Sequence, residues 1–143
     1  MKIGFARTNS EINNCFEVMR ELRPHLSRKD FSLRIKQQQK SGYYLVYLAE
    51  NQKPIAVAGF RIGRNLAWGR FLYVDDLVTF SSYRSQGYGS KLLSWLLDYA
   101  VQQECDQFHL DSGIQRTSAH QFYQREGLKL SSYHFQKVLK DRT

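Results

Sequence analysis

Tyr83-Arg84-Ser85-Gln86-Gly87-Tyr88-Gly89-Ser90 joins a strand-like hydrophobic run, Leu77-Val78-Thr79, to a segment carrying Leu92, Leu93, Leu96, Leu97 and Ala100 at helical spacing. The first turn of a helix has backbone N–H groups without intrahelical acceptors, and the helix dipole adds positive potential at the same place. An anion fits there. Gly87 and Gly89 remove the β-carbons that would hold a phosphate away from those amides, and Arg84 adds a permanent cation at the mouth of the turn. Two better-known phosphate loops are excluded. The dinucleotide fingerprint needs a third glycine where Leu92 stands, and a Walker A loop needs Gly-Lys-Ser/Thr where the chain reads Gly87-Tyr88.

What remains is Leu77-Val78-Thr79, then Phe80-Ser81-Ser82-Tyr83, then Arg84-x-x-Gly87-x-Gly89 with Leu92-Leu93 behind. This resembles the acetyl-CoA signature of the GCN5-related N-acetyltransferases (GNAT). The resemblance implies that the main chain of Leu77, Val78 and Thr79 holds the pantetheine arm like an added strand, and that Arg84, Ser85, Gln86, Gly87, Tyr88, Gly89 and Ser90 hold the pyrophosphate. Acetyl-CoA is then the cosubstrate. Ala119-His120-Gln121-Phe122-Tyr123-Gln124-Arg125-Glu126-Gly127-Leu128 resembles the family's second signature, which makes Tyr123 the candidate proton donor to the departing thiolate. A phenol of pKa ~10 suits that leaving group. A packing role is the alternative for Tyr123. The chain departs from the family's pattern at Arg116, where an asparagine is usual, and at Leu128, where phenylalanine is usual.

The acceptor amine needs a group that takes or orients its proton. Asp75 and Asp76 stand just before the cofactor edge, and strand alternation sends them to opposite faces. Asp75 shares parity with Tyr73 and Leu77 and is the first candidate. Asp76 is the second, because a bulge would reverse the parity. A strand-end aspartate paired with an arginine is the alternative for either. His120 and His134 are further acid–base candidates. The four histidines, at 25, 109, 120 and 134, lack metal-binding spacing, so no metal is expected. Neither signature contains a cysteine, which points to direct transfer in a ternary complex rather than through an acetyl-enzyme.

Apolar runs between turn-forming residues predict strands over 2–7, 43–50, 55–62, 68–80, 108–111 and 132–139. Helices are predicted from Thr8-Asn9-Ser10-Glu11, a capping box, to Pro24, then over 30–40, after the glycine turn, and over 117–126. The order β-α-α-β-β-β-α-β-α-β describes an α/β single-domain GNAT-like fold with a mixed central sheet over residues 1–143. In such a fold the fourth and fifth strands splay to admit the pantetheine.

With 143 residues, 42% hydrophobic, the chain is long enough for a core, and no window reaches the roughly 18 apolar residues of a membrane span. It has no secretory leader pattern, and Cys15 and Cys105 suit reduced thiols, so a cytoplasmic protein is expected. The net charge of +8 suits an anionic ligand, and the basic residues form no run of the kind that marks a nucleic-acid patch, so nucleic acid is not the expected partner. The expected function is transfer of acetyl to a primary amine of a small molecule or peptide, with Tyr43, Tyr44, Arg64, Trp68 and Arg70 as candidate pocket residues. The alternative is a non-catalytic acyl-CoA-binding regulatory domain. A C-terminal edge strand over 133–139 could pair with a second copy to make a homodimer.

Overall fold

The computed structural model describes residues 1–140. They fall into two compact units, Met1–His109 and the segment from Leu110 onward, each described by itself.

In the first unit β1 (Lys2–Phe5) leads into α1 (Asn9–Asn14). Thr8 caps α1. Its Oγ1 accepts from the Glu11 N–H at 3.1 Å, while Glu11 Oε1 accepts from the Thr8 N–H at 2.9 Å and the Arg7 N–H at 3.0 Å. Those backbone donors hold the Glu11 carboxyl below the usual glutamate range. The single helix predicted up to Pro24 is divided at Cys15, whose N–H bonds to Ile12 three residues back, and it continues as α2 (Phe16–Leu22). Arg23 leaves the helical region (φ −122°, ψ 68°) because a following proline crowds the α conformation. The next helix, α3 (Arg28–Gln39), starts at a Ser27 cap.

The sheet has the order β1-β2-β3-β4-β5. β2 (Tyr43–Glu50) and β3 (Lys53–Asn65) form a hairpin, turning at Asn51 and Gln52, both at positive φ as a tight two-residue hairpin requires. β4 (Gly69–Thr79) runs antiparallel to β3, and α4 (Tyr88–Gln102) carries the chain back to the start of β4. There the Asp106 N–H donates to the Arg70 carbonyl at 2.6 Å, so β5 (Gln107–Leu110) can pair with β4 only by running parallel to it.

Two apolar layers cover the sheet. On one face Ile12, Phe16, Met19, Phe31 and Ile35 pack with Tyr43, Leu45, Val57 and Val78. On the other, Leu92, Leu93 and Leu96 of α4 are fully buried, and Phe5, Tyr44, Phe60, Trp95 and Tyr99 form a cluster of stacked and edge-on rings. Tyr44 stacks on Phe60 at the exposed margin of this second layer.

In the second unit α5 (Thr117–Arg125) forms as the sequence predicts. The strand predicted over 132–139 does not: these residues form no ladder and are exposed throughout. Tyr133, Phe135 and Leu139 share one parity, but among the described residues no neighbouring strand pairs with this segment to fix it. The edge strand expected to join a second copy is accordingly not formed. Among the described residues no helix is long and apolar enough to cross a membrane.

Candidate active site

The turn after β4 has the conformation its glycine implies. A short 3-10 turn (Ser81–Tyr83) precedes it, Ser85 sits at φ 63°, and Gly87 caps α4 from the left-handed region at φ 86°. A Cβ on Gly87 would meet nothing within 4 Å, so the glycine serves backbone conformation and leaves open space before the amides of α4. Such a helix start can take an anion of the pyrophosphate kind. Arg84 differs from the expectation of a cation free at the mouth. Its Nε donates to the Thr79 carbonyl (3.1 Å) and its Nη2 to Glu21 Oε1 (3.0 Å), while Glu21 also accepts from the Ser81 N–H and Oγ. Arg84 thus ties the end of β4 to the last turn of α2.

Leu77, Val78 and Thr79 pair with Ala58, Val57 and Ala56 along one edge. On the other edge β5 enters beside Arg70 and has four residues, about 13 Å, whereas Leu77 lies about 23 Å farther along β4. β5 ends before it reaches these three residues, so β4 outruns its neighbour along this edge.

The expectation that Asp75 and Asp76 face opposite sides is corrected by a bulge. Gly59 lies opposite Asp76 and Phe60 opposite Val74, so β4 carries one extra residue at this point. Both carboxylates turn to the face that carries α1, α2 and α3. Arg61 grips Asp75 with a bidentate fork (Nε–Oδ2 2.8 Å, Nη2–Oδ1 2.9 Å) and lies over the Tyr73 ring. The Asp75 hydrogen bonds push the Arg61 guanidinium further into its charged form. Asp76 is deeper, its side chain 15% exposed against 29% for Asp75. Its Oδ1 accepts from Arg23 Nε at 2.9 Å and its Oδ2 from the Tyr43 hydroxyl at 2.8 Å. Arg23 also donates to the Asp75 carbonyl at 3.0 Å, fastening the bulge itself.

These groups line one cavity of about 500 Å³, together with Gln38 and Ser41. A second cavity of about 280 Å³ shares Arg23, Gln38, Tyr43 and Asp76 and is also lined by Met19 and Phe31. Of the five pocket residues expected from the sequence, only Tyr43 lines these spaces. Arg70 donates to the Gln103 carbonyl, and Trp68 stacks on His109 at 3.4 Å between ring centroids. Burial pushes His109 below the usual histidine range. The sequence reading passed over Glu21, Arg23, Gly59 and Arg61. An Arg-Pro pair ending a helix and an arginine inside an apolar strand were the available signals.

In the second unit Tyr123 lies on α5 with its ring 5.4 Å from Phe122. Burial raises the Tyr123 phenol above its ordinary value, and the Arg116 charge opposes that rise. The phenol therefore keeps its proton at neutral pH, and Arg116 eases its release. His120 bonds the Gly113 carbonyl at 2.8 Å, and His134 stands 3.5 Å from Asp111.

A glycine-capped helix start after β4 and a bulge that carries two ion-paired carboxylates suit an acyltransferase built on an α/β sheet. Residues 7–128 match the acetyltransferase (GNAT) family model, and the chain belongs to that family as an N-acetyltransferase. It is 36% identical to the uncharacterized N-acetyltransferase YhdJ of Bacillus subtilis over 124 residues, 85% of this chain and 87% of that protein. It is 39% identical to an aminoalkylphosphonate N-acetyltransferase of Salmonella typhimurium over 66 residues, 46% of this chain and 43% of that one. Glucosamine-6-phosphate N-acetyltransferase of Arabidopsis thaliana has the same fold, with a TM-score of 0.77 at 19% identity, covering 98% of this chain and all of that one (100%).

Proposed function

We propose that the chain works as one catalytic domain that moves an acetyl group from acetyl-CoA to the primary amine of a small molecule or peptide, by direct transfer in a ternary complex. The observation that carries this reading is the β4 bulge, which turns Asp75 and Asp76 into one cavity immediately before the open edge at Leu77, Val78 and Thr79. The same strand runs on into residues 84–90, whose amides and glycine-capped helix start suit the pyrophosphate. Acetyl-CoA supplies the activated thioester. The protein's part is to receive an ammonium at the aspartates, take its proton to carboxylate or water, and return a proton to sulfur from Tyr123.

Direct transfer has support from the thiols as well. Cys15 is buried, which pushes its thiol up to about 12 and leaves it without a nucleophilic form at neutral pH. Two arginines and two aspartates on one cavity also suit an amine that carries an acidic group, as the aminoalkylphosphonate acceptor named for the Salmonella relative does. The test is CoA release measured over a panel of amines that includes aminoalkylphosphonates, small polyamines and peptide N-termini. Initial rates varied in both substrates should give intersecting lines. Parallel lines would refute direct transfer, and no acetylated amine in the panel would refute the acceptor class.

A further inference from the structure

Tyr43 begins β2, two strands away from Asp76 on β4, with β3 between them. Its hydroxyl crosses β3 at Gly59 to reach Asp76 at 2.8 Å. A Cβ built on Gly59 falls on the end of the Tyr43 ring, so only glycine leaves the passage open. Tyr43 is itself 4% exposed and cannot swing elsewhere. A buried phenol brought to a carboxylate through a gap in the intervening strand is a costly arrangement for packing alone, since an apolar ring would fill the same core without a polar atom to satisfy.

The two aspartates differ in how they are held. Both oxygens of Asp75 are taken by one arginine fork, which leaves its charge matched by a cation in the same plane. Asp76 is also ion-paired, but with both Arg23 contacts on Oδ1 (2.9 Å each), while its Oδ2 accepts from a neutral phenol. Its Oδ2 is thus met by a neutral donor where both oxygens of Asp75 are met by a cation, and Asp76 borders both cavities.

Resting on the acetyl-transfer reading above, we infer that Tyr43 is the positioning residue for the acceptor amine: through the Gly59 gap it fixes Asp76, and Asp76 rather than Asp75 holds the ammonium. Tyr43 touches neither reacting atom and acts by setting the rotamer of Asp76.

The experiment is a double-mutant cycle of Tyr43→Phe and Asp76→Asn in the full chain. It is read by steady-state kinetics with the best amine of the panel and by chemical denaturation. Tyr43→Phe keeps the ring and the core, and should lower kcat/KM for the amine about 10-fold while the KM for acetyl-CoA stays within twofold. In the Asp76→Asn background the same change should cost less than twofold, because the group it positions is already neutral. Asp75→Asn should cost less activity than Asp76→Asn. An equal 10-fold loss in both backgrounds would make Tyr43 a packing residue and overturn the inference, as would an Asp75→Asn loss exceeding that of Asp76→Asn. Denaturation midpoints that combine additively would show that no Tyr43–Asp76 bond exists and overturn it without reference to activity. A wild-type chain that acetylates no amine while the midpoints couple refutes the acetyl-transfer reading and the positioning role, but leaves the bond itself established.

Discussion

Gly59→Ala puts the Gly59 gap under direct load. The new methyl would land on the hydroxyl end of the Tyr43 ring, in a core where Tyr43, Val57 and Leu45 are at most 4% exposed. Forcing a ring out of a packed core costs about 1–3 kcal/mol, and losing a hydrogen bond to a charged carboxylate costs about 1.5–3 kcal/mol more. Asp76 borders cavities that can readmit water, so the lower half of the combined range applies and the expected loss is about 3 kcal/mol. Urea denaturation followed by tryptophan fluorescence measures it, with Trp68 and Trp95 as reporters. Tyr43→Leu supplies the control, since leucine ends before the collision. Adding Gly59→Ala to that variant should cost less than about 1 kcal/mol. A Gly59→Ala protein within about 0.5 kcal/mol of wild type, or an equally large cost in the leucine background, would refute the collision and the gap with it.

Gly89→Glu places a side chain and a negative charge in the first turn of α4, where a carboxylate favours the helix but repels a pyrophosphate, so the variant should fold and bind acetyl-CoA at least ~100-fold more weakly by calorimetry. Unchanged affinity in the folded variant would rule out the turn as the phosphate site. Tyr123→Phe should leave acetyl-CoA affinity nearly intact and lower kcat ~100-fold, the scale of a positioned acid; a rate within two- or threefold of wild type at saturating amine would leave Tyr123 a packing residue. Cys15, with its thiol at about 12, should not react with a disulfide reagent at pH 8 until urea exposes it. The thiol that reacts in the native protein, that of the partly exposed Cys105, should survive Cys15→Ala, and its disappearance in that variant would contradict the buried assignment.

Local signals made most of this chain legible. The Thr8–Glu11 box, the Asn51–Gln52 hairpin turn, the glycine at 87 and the leucine face of α4 act within a few residues of one another, where backbone sterics and helical or strand periodicity decide the outcome alone. The two family signatures likewise lie in continuous stretches, which is why the family and the fold class could be read from residues in order. Apart from the helix break at Cys15, the main departures were questions of partnership. Whether Asp75 and Asp76 share a face depends on a one-residue mismatch between β4 and β3, and alternation counted along β4 cannot see it. Whether residues 132–139 form a strand depends on a neighbour's hydrogen bonds, which no alternation pattern supplies. Arg84 looked free in the sequence because Glu21, the residue that takes it, is 63 positions away. The linkage of Arg23 and Tyr43 to one carboxylate, through the space a glycine leaves, spans 53 and 33 positions. A chain read alone carries the identity of its charged groups, but which of them neutralise one another and which remain to meet a ligand is set by distances that exist only after the strands have paired.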